Sequence, residues 1–141
     1  MNAVMFIGHK EAFCDTGKIR DAIVELIEKN GLTEFLLGGM GQFDMICARI
    51  LCELKKKYRF LRVYLVIPHL GFRVTDIECY DEIIFPQELE GVFFKQCIPR
   101  RNQYMVDHAA VAICYVKHSW GGAYQTYRYA KEKGLYIIDI P

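Results

Sequence analysis

The apolar residues of this chain fall into two alternating kinds of run. Short unbroken stretches of the sort that fill a buried parallel strand occur at residues 3–7, 34–37, 62–67, 82–85, 109–116 and 135–140. After the first of them Ile19, Ala22, Ile23, Leu26 and Ile27 recur at helical spacing, with Asp15 or Thr16 as the cap and Asn30-Gly31 as the stop. Phe43, Ile46, Cys47, Ile50, Leu51 and Leu54 mark one face of a second helix, and Lys55, Lys56 and Lys57 lie at its C-terminal end, where the dipole favours cations. A third helix opens at Pro99-Arg100-Arg101-Asn102. A fourth runs from Gly122, with Ala123, Tyr127 and Ala130 on one side, and stops at Gly134. Residues 69–79 read as a loop or one short helix, and 87–98 as helix or loop.

Strands alternating with helices over short connections predict an α/β chain: a Rossmann-like three-layer fold with a mostly parallel central sheet, built from right-handed βαβ units as a single domain over 1–141. Length agrees, since a chain of 141 residues buries roughly 68–70% of the surface its unfolded form exposes. The apolar share of 52% argues against intrinsic disorder. Six cysteines, at 14, 47, 52, 79, 97 and 114, form no C-x-x-C pair and read as reduced thiols of a cytoplasmic protein. The charged residues of the first turns, among them Lys10, Glu11 and Asp15, exclude a signal peptide there, and no apolar run reaches the ~18 residues of a membrane span. The net charge of +1, from 18 basic and 17 acidic residues, gives no electrostatic reason to expect nucleic acid or a membrane surface as partner.

Three loops fall at strand carboxyl ends, where ligands bind in parallel sheets. Gly8, His9 and Lys10 follow the first strand as a pocket wall. Gly38, Gly39, Met40 and Gly41 follow the second, with Gln42 as a polar contact and Asp44 either as a first-turn carboxylate or as a ribose ligand. Ser119, Gly121 and Gly122 follow the fifth, and Thr126 stands at the rim. Glycines between a strand and a helix either satisfy a tight turn needing positive φ or leave backbone N–H groups free to hold an anion. Arg101 is the side chain best suited to grip a phosphate in bidentate fashion, with Arg100 solvated beside it. Asp107 is placed to pair with Arg101 or to bind a ribose. Trp120, Tyr115, Tyr124, Tyr127 and Tyr129 offer rings that stack on a base or pack in a dimer interface. His69, His108 and His118 do not combine with cysteines at zinc spacing, so no metal site is expected.

Taken together, Gly8-His9-Lys10, Gly38-Gly39-Met40-Gly41-Gln42-Phe43-Asp44, the run from Arg101 to Asp107, and Gly121-Gly122 resemble the SLOG superfamily, named from the SMF/DprA and LOG families. Within it the chain is most similar to the YpsA-like branch. The resemblance implies glycine loops that hold a nucleotide or nucleotide-derived ligand such as ADP-ribose, no cofactor, and a homodimer. LOG members are phosphoribohydrolases of nucleoside 5′-monophosphates, and Arg101 falls on the arginine of their first motif with Asn102 in place of its lysine. Gly121 and Gly122 fall on the glycine pair of their second motif, but Trp120 replaces its proline, Tyr124 its third glycine and Arg128 its glutamate. Losing that carboxylate shifts the expectation from hydrolysis to binding. LOG-like N-glycosidase activity through Arg101 and Asp107, or a non-catalytic dimeric interaction module, stand as the alternatives.

Overall fold

The computed structural model describes residues 2–141. Six strands, β1 (Ala3–Gly8), β2 (Glu34–Leu37), β3 (Arg62–Val66), β4 (Glu82–Ile84), β5 (Ala109–Tyr115) and β6 (Tyr136–Asp139), form one sheet in the order β4-β3-β2-β1-β5-β6. Every pairing in it is parallel. Four helices, α1 (Thr16–Asn30), α2 (Gly41–Lys57), α3 (Phe94–Asp107) and α4 (Gly121–Glu132), cover its two faces, giving the expected Rossmann-like three-layer fold. No helix of the described residues is long and apolar enough to cross a membrane.

The strand side chains divide by the two-residue alternation of an extended chain. Val4 and Phe6 pack with Ile19 and Ile23 of α1 and with Phe43, Cys47 and Leu51 of α2. Met5 and Ile7 point the other way, into a second core with Met105 and Val106 of α3 and Ala130 of α4. This double coverage is why β1 and β5 read as unbroken apolar runs. Asp15 caps α1 by accepting the Gly17 amide at 2.9 Å, and Gly31 ends that helix in the left-handed region at φ 66°.

Between β3 and β4 the chain runs as a loop with one 3₁₀ turn at Ile77–Cys79, as read for that segment. One element departs from expectation. Helix α3 starts at Phe94 rather than Pro99, which lies inside it. The proline sacrifices one hydrogen bond, to the Lys95 carbonyl, and the helix carries through. Arg101 is therefore a mid-helix residue rather than part of a helix start.

Topology fixes where a ligand has room. From β1 the chain steps outward through β2, β3 and β4, then returns to place β5 on the other side of β1. The loops after β1 and β5 consequently diverge, leaving a crevice at the carboxyl ends of these two adjacent strands.

Candidate functional site

A cavity of about 790 Å³ fills that crevice, within the range of small-ligand pockets. Gly8, His9 and Lys10 line it from the β1 loop, and Met40, Gly41 and Asp44 from the start of α2. Gly121, Gly122 and Thr126 contribute from α4, and Arg101 with Asn102 from α3. Gly39 and Gln42 instead line a smaller neighbouring hollow of about 500 Å³ shared with Lys10 and Gly41. Ser119 is exposed and lines neither, and neither does Gly38.

The Arg101 side chain is 2% exposed and committed to the protein. Its Nη1 donates to the carbonyls of Gly38 and Val66, both at 2.8 Å, and its Nε donates to Asn102 Oδ1 at 2.9 Å. Nη2 leans on Met40 Sδ at 3.4 Å. The guanidinium thus ties α3 to the carboxyl ends of β2 and β3. Burial pulls it below its ordinary pKa while the Asp44 carboxylate pushes it back up, and an arginine remains a cation under both influences. Gly38 is the residue this plane lies against, since a Cβ there would stand 3.0 Å from Arg101 Cζ.

Asp44 is 9% exposed. Its Oδ2 accepts the Met40 amide at 3.2 Å. Burial pushes its carboxyl up to about 6, opposed by the Met40 amide, by Arg101 and by the Gly38 amide. Gln42 also has a protein partner, its Oε1 accepting the Ala12 amide at 2.9 Å. The Asp107 carboxylate takes the Tyr129 hydroxyl at 2.8 Å, at the far end of α3 and outside the cavity. It neither meets Arg101 nor enters the site, because one and a half turns of helix carry it away. Tyr127 likewise turns to Asp139, at 3.5 Å.

The opposite wall is aromatic. Rings step outward from the core: buried Phe43 stacks on Tyr115 with centroids 5.9 Å apart, and Tyr115 meets the edge of His9 at 6.1 Å. His9 stacks on His118 at 3.9 Å and 19°, and His118 on Trp120 at 3.8 Å and 13°. Trp120 is 69% exposed, so the ladder ends in an open indole face. Hydrogen bonds hold its steps: the Lys117 amide donates to His9 Nε2 at 2.8 Å, and His118 Nδ1 donates to the Trp120 carbonyl at 2.9 Å. Burial, with His118 and Lys117 nearby, keeps the His9 pKa below its ordinary value, in accord with an Nε2 that accepts. Across the mouth Phe13 is 88% exposed, on a loop pinned by its backbone to the Tyr115 hydroxyl at 3.2 and 3.3 Å.

Beside this ladder α4 begins with unclaimed amides. Trp120 provides no side-chain cap, and the first turn holds no acidic residue. Thr126 is occupied within the helix, its hydroxyl donating to the Gly122 carbonyl at 2.9 Å. The sequence drew attention to Trp120 but not to His9 and His118 as its supports. The signal available was Lys117-His118-Ser119-Trp120 itself, a polar and aromatic insertion between a buried strand and a glycine-opened helix.

A doubly covered, all-parallel sheet with an open cleft at the β1/β5 switch point defines a Rossmann-like fold. The fold matches DNA processing protein A from Helicobacter pylori, a protein with a single-stranded DNA binding mode, at a TM-score of 0.67 and 15% identity, covering 98% of this chain and 64% of that one. It also matches DNA processing protein A (DprA) from Streptococcus pneumoniae at a TM-score of 0.69 and 16% identity, covering 99% and 50%. The chain therefore spans between half and two thirds of the length of these neighbours. No protein-family model matches the chain, and no curated protein does.

The likeness to DprA overturns the expectation of a nucleotide or ADP-ribose-like ligand, together with LOG-like cleavage of nucleoside 5′-monophosphates, and it overturns the exclusion of nucleic acid as partner. That exclusion rested on a net charge of +1. Net charge sums the whole surface and is blind to a site where stacked rings and helix amides supply the contacts.

Proposed function

We propose that this chain binds single-stranded DNA across the mouth of the β1/β5 cleft. Bases stack on the open face of Trp120, and a phosphate sits on the first-turn amides of α4. The observation that carries the reading is the ladder from His9 through His118 to Trp120, with centroid steps of 3.9 and 3.8 Å, ending in an exposed indole beside an uncapped helix start. A π-face held rigidly by rings behind it recognises any unpaired base, and the partly immobilised side chains lose little further freedom on binding. The single-stranded DNA binding of the Helicobacter pylori neighbour supports the same reading. As finer parts of it, we place the chain in the YpsA-like branch of the SLOG group, as one unit over 1–141, and in the cytoplasm, where its six free thiols are at home.

Trp120 is the protein's single tryptophan, so its own fluorescence reports the contact. Titration with a mixed-sequence single strand of about a dozen nucleotides is expected to quench the indole saturably, with weaker binding as salt rises. Trp120→Ala, followed by anisotropy of a labelled strand, is expected to weaken binding roughly 5- to 150-fold at unchanged thermal stability. No change in either emission or anisotropy up to high strand concentration would dismiss the reading.

A further inference from the structure

A second row of aromatic rings rises from the loop after β3, on the same carboxyl edge of the sheet. Phe72 lies against the Gly39 turn, where an added Cβ would stand 3.5 Å from its Cε2, and its amide donates to the His69 carbonyl at 3.1 Å. The His69 ring meets Phe72 edge-on at 6.1 Å and supports the Phe94 ring at 5.0 Å, both spacings of favourable aromatic pairs. Phe94 is nevertheless 72% exposed. A large ring left open at the end of a supported row repeats, on the α3 side, the arrangement that ends in Trp120.

Helix α3 joins this ring to the cleft. It runs from the carboxyl edge of the sheet back to the start of β5, so its first turn stands at the same rim as the first turn of α4. Ile98, Arg101 and Asn102 all line the cavity, and they follow Phe94 at i+4, i+7 and i+8, which is one helix face. Phe94 therefore continues the α3 wall of the cavity outward to the rim. The charge around it suits a polyanion. From Gly91 to Val106 the chain carries Lys95, Arg100 and Arg101 and no acidic residue, and from His69 to Thr75 it carries Arg73 and none. Lys95, Arg100 and Arg73 are exposed. Of the acidic residues flanking these stretches, Asp76 pairs with Arg49 at 3.5 Å and Asp107 with Tyr129 at 2.8 Å, which leaves Glu90 against three exposed cations. A face built for a second protein copy has charge depleted at its core rather than gathered there with one sign.

We infer that the bound strand crosses the mouth of the cleft from Trp120 to Phe94, stacking a second base on the Phe94 ring while Lys95, Arg100 and Arg73 meet the phosphates on that side. The surface is thus bipartite, with one supported ring at each end, and it favours strands long enough to reach both.

This inference rests on the strand-binding reading, and its test separates the two. An oligo-dT strand of about a dozen nucleotides is titrated by anisotropy into wild type and Phe94→Ala, and the loss of one base stack is expected to weaken binding roughly 5- to 150-fold. Because Phe94 is largely exposed, thermal melts of the two proteins are expected to coincide. A second variant, Trp120→Phe with Phe94→Trp, moves the single indole to the α3 side and keeps a ring at each end; its emission is expected to be quenched saturably by the same strand. In Lys95→Gln with Arg100→Gln, the slope of log K against log salt is expected to fall by about 0.7 for each charge removed. Unchanged affinity in Phe94→Ala, or an unquenched indole in the second variant, overturns the Phe94 platform while the Trp120 reading stands. A wild-type dimer in sedimentation that Phe94→Ala dissociates, with strand affinity intact, assigns the patch to a second copy and also overturns it. Failure of wild type to bind the strand overturns both readings.

Discussion

Two glycine turns in this molecule look alike in sequence and differ in what the protein has done with them. Gly38 to Gly41 links β2 to α2, and Gly121 with Gly122 opens α4 after β5. At the first, the protein's own groups take up most of the turn's hydrogen-bonding capacity. Arg101 lies against Gly38 and takes its carbonyl, the Gln42 amide is bonded to the Lys10 carbonyl at 2.8 Å, and Asp44 accepts the Met40 amide. At the second, no side chain caps the helix and no acidic residue neutralises its dipole. A glycine pair between a strand and a helix marks a closed structural joint in one place and an open anion-facing end in the other. What separates them is the side chains brought from elsewhere in the fold, above all an arginine 63 positions away from Gly38 in sequence.

The largest effect that would break this contrast is Arg101→Ala. The substitution strands the Gly38 and Val66 carbonyls and leaves the Asp44 carboxylate buried without its cation. A loss of about 3–5 kcal/mol of unfolding free energy is expected, read by urea denaturation. A variant as stable as wild type but unable to bind DNA would make Arg101 a ligand residue and the first turn an open one.

The next concerns Asp44 and pH. Its folded carboxyl stands at about 6 against an ordinary 3.8, so the native state holds the proton more tightly than the unfolded chain does. Below about pH 4 both states are protonated and the group is neutral in the balance. As pH rises from about 4 to about 6 the native state is the one binding more protons, so its stability falls, by about 3 kcal/mol once the carboxylate is charged in both states. Asp44→Asn has no such proton. The difference in unfolding free energy between wild type and Asp44→Asn, measured from pH 4 to 7, is expected to move against wild type across this window. A difference that stays constant would mean that the carboxylate is solvated, and that the first turn is less closed than the geometry has it.

The fold was largely legible because its governing signals are local. An apolar run covered on both faces, a helical stripe from Ile19 to Ile27, an Asp15 cap and a Gly31 stop act over a few residues, and the structure places β1, α1 and β2 accordingly. The misreadings came where a local rule was outvoted. Pro99 is a good helix starter, yet packing of Cys97, Arg101 and Met105 carries α3 through it from Phe94. The site was legible as a location and less so as chemistry. Glycines at strand ends marked the cleft, but whether Arg101 faces solvent or two backbone carbonyls depends on β2 and β3 lying beside α3, which no spacing encodes. The stacking of His9 on His118 joins residues from the loops of two adjacent strands and is likewise visible only once β5 is known to pair with β1.

The smallest effect is the sharpest test of the contrast, because it asks for a difference between two identical substitutions. At Gly41 the backbone has φ 84°, and an added Cβ would stand 2.8 Å from the Lys10 Cα, a backbone atom that cannot swing aside. Gly41→Ala is therefore expected to cost about 2 kcal/mol from the left-handed conformation alone, with the crowding adding to it. At Gly122 an added Cβ meets nothing within 4 Å, and the residue already has helical-side φ. Alanine there restricts the unfolded chain and suits the helix, for a gain of at most about 1 kcal/mol. It also leaves the amide N–H in place, so strand binding should persist in Gly122→Ala to within a few-fold. Paired thermal melts of the two variants, with a strand titration of Gly122→Ala, measure all of this. If Gly122→Ala proved as damaging as Gly41→Ala, the second turn would be another sealed joint, and the anion would have to sit elsewhere on the cleft.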